Sequence, residues 1–191
     1  MTTSGTAVSA AVRVVRDEVD RLLAAVEGAP AALTAAGEAL LAARRVFVLG
    51  AGRSGIALQM TAMRLMHLGM SVHVVGAATS PGVGQGDVLL VASGSGRTGN
   101  VVRSARAGVE HGAKVIAIST SEDSPLADLA EVTIVVPAAA KLDRSASASE
   151  QYAGTLFEQG AILLGDILFH HLWRASGRSA DDLWPQHSNL E

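Results

Sequence analysis

The sequence predicts an α/β fold: a doubly wound, parallel five-stranded sheet flanked by helices, with helices before it and one long helix after it. Three observations carry this. Short apolar runs alternate with helical patterns, the signature of strand–helix–strand units. The runs are apolar throughout rather than alternating, as strands covered on both faces must be. And a strand, a Gly/Ser-rich turn and a helix follow one another twice, over residues 46–68 and 88–111.

Each element has its own signal. Residues 1–8 are small and polar and are expected to fray. Val12–Val26 places apolar residues at helical spacing, with Arg13, Arg16, Asp17 and Asp20 between them. Pro30 suits the first turn of a second helix running to about Ala43. Val46–Leu49 reads as a strand, Ser54–Leu68 as a helix, and Val72–Val75 as the next strand. A Gly/Pro-rich loop surrounds Pro81. Val88–Ala92 (strand), Thr98–His111 (helix), Val115–Ile118 (strand), Pro125–Ala130 (short helix) and Val132–Val136 (strand) complete the sheet. A polar loop from Ala138 to about Ser147 leads to a long, nearly all-apolar helix from about Glu150 to Trp173. A short helix near Ser179–Leu183 and the tail Pro185–Glu191 follow. No linker separates domains, so the 191 residues read as one unit: N-terminal helices over 1–43, core and tail over 45–191.

Composition narrows the chemistry. Cysteine is absent, which excludes disulfides, zinc-thiolate sites and thiol nucleophiles. The net charge of −3 does not suggest nucleic-acid binding. The apolar stretches are broken by Asp166 or by glycines, and no signal peptide opens the chain, so a cytoplasmic protein without membrane partners is expected. Aromatic residues make up only 3% of the sequence, so the core must be built from Ala, Val, Leu and Ile.

Gly50, Gly52 and Gly55 fit the dinucleotide fingerprint G-x-G-x-x-G, but its partner is missing. A ribose-binding carboxylate belongs about 20 residues on, and no Asp or Glu lies between Glu38 and Asp87. No Arg lies between Arg64 and Arg97 to take a 2′-phosphate, and no Gly-Lys pair makes a P-loop. The glycines either only close a tight strand-to-helix turn or hold another phosphate. Arg53 and Ser54, beside a helix start, favour the phosphate. The second turn, Ser93-Gly94-Ser95-Gly96-Arg97-Thr98, sets three hydroxyls in six residues at another helix start. Free N–H groups and the helix dipole favour an anion there. Without an adjacent Lys or Asp cluster, a monoester phosphate fits better than a diphosphate with Mg²⁺. The bland alternative is a capped turn.

The second turn resembles the phosphosugar-binding loop of SIS (sugar isomerase) domains. The match extends further. "GAGRSG", "MRLMHLG", "VHVVG", "GQGDVLLVASGSGRTGNVV", "GAKVIAIST", "SPLADLAEV", "SEQYAGTLFEQ" and the terminal "HSNLE" are similar, in order and spacing, to the 6-phospho-3-hexuloisomerase family, from about Arg45 to Glu191. The resemblance implies a flavodoxin-like SIS sheet and no cofactor. It also implies a homotetramer, and interconversion of 3-hexulose 6-phosphate and fructose 6-phosphate, used in formaldehyde fixation or pentose supply. Two departures stand out: Arg97 stands where the family usually has an acid, and Ala77–Ala78 where it has a polar or acidic residue.

An enediol route needs one base, donors for the enediolate oxygens and a phosphate anchor. A hydride-shift route would need a metal, and no His-x-x-x-His or carboxylate–histidine cluster at ligand spacing occurs; His170 and His171 diverge on a helix. Glu158, on an otherwise apolar helix, is either a salt-bridged structural group or the base; the "LFEQ" resemblance implies the base. Asp166 lacks that motif and reads as structural. His67 either caps its helix or acts in catalysis. His187, in a polar tail, either acts as acid or polariser or has no role in the reaction; the resemblance implies that such tails complete a neighbour's pocket. Ser149 and Gln151 either cap the Glu158 helix or touch the sugar. Trp173 and Trp184 read as packing or interface residues. The phosphate site is expected to comprise Gly52, Arg53, Ser54, Ser93, Gly94, Ser95, Gly96, Arg97 and Thr98. Two alternatives remain: another SIS-type aldose/ketose phosphate isomerase, or a non-catalytic phosphosugar-binding module. A sensor of that kind usually carries a DNA-binding helix-turn-helix, and residues 1–43 are too short and too little basic for one. The all-round apolar long helix further suggests that another subunit covers part of it.

Overall fold

The structure, a computed structural model, describes residues 3–139 and 149–190, with residues 3 and 4 as backbone only. From residue 140 onward the expected polar loop lies outside the described residues. The five strands are β1 (Arg45–Gly50), β2 (Val72–Val74), β3 (Asp87–Ala92), β4 (Lys114–Ser119) and β5 (Val132–Val135). All neighbours pair in parallel, in the order β2-β1-β3-β4-β5. The helices are α1 (Thr3–Gly28), α2 (Ala31–Ala42), α3 (Arg53–His67), α4 (Gly99–Glu110), α5 (Thr155–Ser176) and α6 (Ala180–Leu183).

Alternation along the strands divides the core in two. Val46, Val48, Val88, Leu90, Ile116 and Ile118 face a layer built from α1, α2, α3 and α5. Phe47, Leu89, Val91, Val115 and Ala117 face the thinner layer of α4 and the turn at Leu126. Leu90 is fully buried at the centre of β3, where truncation to Ala would cost about 2–5 kcal/mol. The edge of the sheet remote from the helix-opening turns is pinned by charge. Asp87, fully buried, accepts from Arg45 at 2.6 Å, from Arg44 at 3.1 Å and from the Gly84 N–H at 2.8 Å. Burial alone would raise its carboxyl; the arginines and the Gly84 N–H outweigh that and hold it at about 2.

Three expectations need correction. Residues 1–8 are not frayed from Thr3 on: α1 begins there, and no proline interrupts its first turns. The long helix starts at Thr155 rather than Glu150, since Ser149–Gln151 are drawn into hydrogen bonds with α1. The Pro125–Ala130 helix shrinks to a single 3₁₀ turn, Ala127–Leu129. The apolar side chains of α5 from Leu156 to Trp173 are buried or half-buried, packed by α3, α1 and α2 of the same chain. Among the described residues, no helix is long and apolar enough to cross a membrane.

Candidate active site

In a doubly wound sheet, the loops after the two strands where the winding reverses diverge and leave a crevice. Here those strands are β1 and β3, and the loops after them are the two glycine-rich turns. They form the walls of a cavity of about 330 Å³, which Gly154, Phe157 and Glu158 at the start of α5 close from a third side.

Local sequence explains both walls. A Cβ on Gly50 would lie 2.8 Å from the Gly55 nitrogen, so the β1–α3 turn closes only with glycines there. Gly96 has a φ of +61° and lies against Ser124, where any side chain would collide. Around it the second turn is tied down: Ser93 and Thr98 hydroxyls are 3.0 Å apart, and the Thr120 hydroxyl and N–H both donate to the Gly94 carbonyl, at 2.7 and 3.0 Å. Helices α3 and α4 both begin at this cavity, and neither Gly52 nor Thr98 caps its helix through a side chain. The first N–H groups of both helices are thus available to an anion.

The electrostatics are simple. Arg53 Nε lies 2.6 Å from Glu158 Oε2. Arg53 is 66% exposed, Glu158 20%, so the pair is worth at most about 1 kcal/mol and separates readily. The remaining polar lining is neutral: the hydroxyls of Ser54, Ser93, Ser95 and Thr98. Among the described residues no cluster of His, Asp and Glu has metal-binding geometry.

The structure therefore brings together Gly52, Arg53, Ser54, Ser93, Gly94, Ser95, Thr98 and Glu158. Gly96 shapes the loop without lining the cavity. Arg97 turns away, donating to the Asp123 carbonyl at 3.0 Å. Ser149 and Gln151 bond to Glu18 of α1. Asp166 sits on the surface, 3.8 Å from Arg64.

His67 and His187 are brought together, but not to this cavity. Their rings stack at 4.1 Å, and Trp184 stacks on the far face of His187 at 4.7 Å. His67 is the last residue of α3, and Arg53 the first. Fifteen residues at 1.5 Å rise put the stack roughly 20 Å from the cavity. His67 is buried, and its Nδ1 has no partner among the described residues. Burial, then His187 and Arg64, lower its proton affinity.

Sequence reasoning missed Phe157 and Ala139 on the cavity wall and Glu18 behind it. Phe157 carried a usable signal, since it adjoins Glu158 at the start of a helix. Glu18, among many charged residues of α1, carried none.

Residues 39–155, more than half of the chain, match the SIS domain family model. A curated 3-hexulose-6-phosphate isomerase from Mycobacterium gastri is 48% identical over 177 residues, covering 93% of this chain and 88% of that protein. The protein of the same name from Bacillus subtilis is 34% identical, covering 80% and 83%. A solved structure from Methanococcus jannaschii, described as inferring a molecular function of 3-hexulose-6-phosphate isomerase, matches with a TM-score of 0.82. It is 26% identical and covers 94% of this chain and 98% of its own.

Proposed function

The chain belongs to the SIS domain family, and on that premise we propose that it is an isomerase interconverting D-arabino-3-hexulose 6-phosphate and fructose 6-phosphate through an enediol. The observation that carries the reading is the position of Glu158: a carboxylate on the wall facing two hydroxyl-bearing, helix-opening turns. The turns supply what a monoester phosphate requires, namely hydroxyl donors, free helix N–H groups and the positive ends of two dipoles. Arg53 adds the cation.

The Glu158 carboxylate takes the proton on C2 of the 3-ketose, and the electron pair forms the C2–C3 double bond of the enediolate. The oxygen on C3 receives a proton as that on C2 loses one, and Glu158 returns its proton to C3. Fructose 6-phosphate results without oxidant, reductant or cofactor. When the substrate phosphate draws Arg53 away from Glu158, the carboxylate is freed to act.

His67 and His187 enter this scheme through a second copy. Helix α3 exposes an apolar face along its middle, Ile56, Met60 and Met63, at i, i+4 and i+7. Met60 is the midpoint of Arg53–His67. Two copies packed there about a two-fold axis perpendicular to α3 run antiparallel, and the His67–His187 end of one then meets the Arg53 end of the other. The homotetramer implied by resemblance is two such pairs.

The test is NMR of the purified protein with fructose 6-phosphate in D₂O. Deuterium should enter C3, and signals of the 3-ketose should appear. Glu158→Gln keeps the shape and cannot accept a proton, so it should bind the sugar and lose about 10²–10⁴-fold in turnover, with exchange lost in parallel. Near-parental exchange in that variant removes Glu158 from the mechanism; no exchange in the parent removes the enediol route.

A further inference from the structure

We infer that Glu18, on the first helix and outside the residues matched by the family model, is a positioning residue for Glu158. The inference rests on the reading of Glu158 as the base. Glu18 is almost fully buried, yet it is a carboxylate. Its Oε1 accepts from the Glu150 N–H at 2.6 Å, and its Oε2 from the Ser149 hydroxyl at 2.7 Å and from Gln151 Nε2 at 2.9 Å. Gln151 in turn forms a reciprocal amide pair with Gln159, at 3.1 and 3.0 Å. Gln159 directly follows Glu158. Hydrogen bonds thus run unbroken from α1 to the residue beside the base.

The segment so held is strained. Ala153 has a φ of +52° and is the non-glycine residue with positive φ among those described. A left-handed alanine persists where its surroundings over-determine it, and such residues cluster at functional sites. The next residue, Gly154, lines the cavity, and its carbonyl accepts the Glu158 N–H at 3.0 Å, the bond that opens α5. One turn further on, a side chain on Gly160 would collide with Leu22 of α1, so α1 and α5 are in direct contact there. Burial would raise the Glu18 carboxyl; hydrogen bonds from Ser149, Gln151 and the Glu150 N–H, with the charge of Arg21, outweigh it, so the carboxylate form is the one that holds. Neither phosphate-binding turn takes part in this network. Its loss should therefore displace the base and leave the anchor intact.

Three substitutions test this. Glu18→Met removes the acceptors at similar volume and should lower kcat about 10–100-fold, the scale of a base displaced by an ångström. KM should stay within about twofold, and the circular dichroism should be parental. Glu18→Gln should retain most of kcat, because the amides of Gln151 and Gln159 can flip together and re-form every bond. A packing role predicts the reverse order, with Met better than Gln in a buried site. Gln159→Met cuts the relay without touching α1, should lower kcat in the same sense, and carries the test if Glu18→Met does not fold. Parental kcat in the folded Met variants, equal loss in Met and Gln, or a loss confined to KM overturns the inference. Glu158→Gln is assayed alongside. If it retains turnover, the base assignment falls and the positioning role with it. If it is inactive while Glu18→Met turns over normally, only the positioning role falls.

Discussion

The two ends of helix α3 hold the same kinds of group in opposite circumstances. At the N-terminal end, Arg53 and Ser54 line an open cavity, and no side chain caps the first N–H groups of α3. At the C-terminal end, His67 is packed between helix and tail, stacked on His187 and, among the described residues, without a partner for Nδ1. One end opens a polar cavity at a helix start; the other holds two imidazoles side by side. Within one chain they are a helix length apart. The contrast teaches that neither His67 nor His187 reaches the cavity of its own chain, so the proposed catalytic role of either rests on a neighbour.

The sharpest way to break that comparison is to separate the ends genetically. Glu158→Gln and His187→Ala are each expected to be inactive. Dissociated, mixed in equal amounts and reassociated, they should recover about a quarter of parental activity. Half of random pairs are mixed, and one of the two sites in each draws both intact residues. Mixed oligomers with no recovery would confine both residues to one chain or remove His187 from the reaction. A monomer by light scattering at assay concentration would end the shared-site reading.

The next effect is smaller and concerns the anion end alone. Ser95→Ala removes one donor to a dianion and should weaken fructose 6-phosphate binding by about 1–3 kcal/mol. Thr98→Val should act in the same direction, and it also takes away the 3.0 Å contact with Ser93. Titration calorimetry reads both. If the two variants keep parental affinity, the phosphate is bound elsewhere. Arg97→Ala, by contrast, should leave affinity nearly unchanged, because its guanidinium is engaged with the Asp123 carbonyl.

Much of the anion end was legible in the sequence, because its parts are local. A strand, a tight glycine turn and a helix start fall within ten residues, twice, and parallel topology then places both turns at one edge of the sheet. Glu158 was legible as a charge on an apolar helix. The histidine end was not: His67 and His187 are separate polar residues until the chain folds the tail across α3. Glu18 lies more than 130 positions from the residues it binds, and nothing in α1 distinguishes it from Asp17 or Asp20. Helix boundaries failed for the same reason. The start of α5 depends on hydrogen bonds to α1, which no local pattern records.

The smallest expected effect lies at the histidine end and is read as stability against pH. Burial, with His187 and Arg64 nearby, lowers the affinity of His67 for a proton. The charged or titratable groups around it are Arg64 on its own helix, His187 in the tail, and Arg178, which donates to the Leu68 carbonyl. A histidine held below its ordinary value binds fewer protons folded than unfolded. Its contribution is therefore fully present above about pH 6.5 and is lost as pH falls through the folded value. Three depressed carboxyls, Asp87, Glu18 and Asp182, lose their contributions only as pH falls into and below the ordinary carboxylate range, so the interval from pH 7.5 to 5.5 isolates the histidines. His67→Phe keeps a ring against His187 and cannot titrate. Its melting temperature should fall less between those pH values than that of the parent. Equal slopes would mean that the ring at position 67 binds protons alike in the folded and unfolded states across this interval, and that its environment only packs.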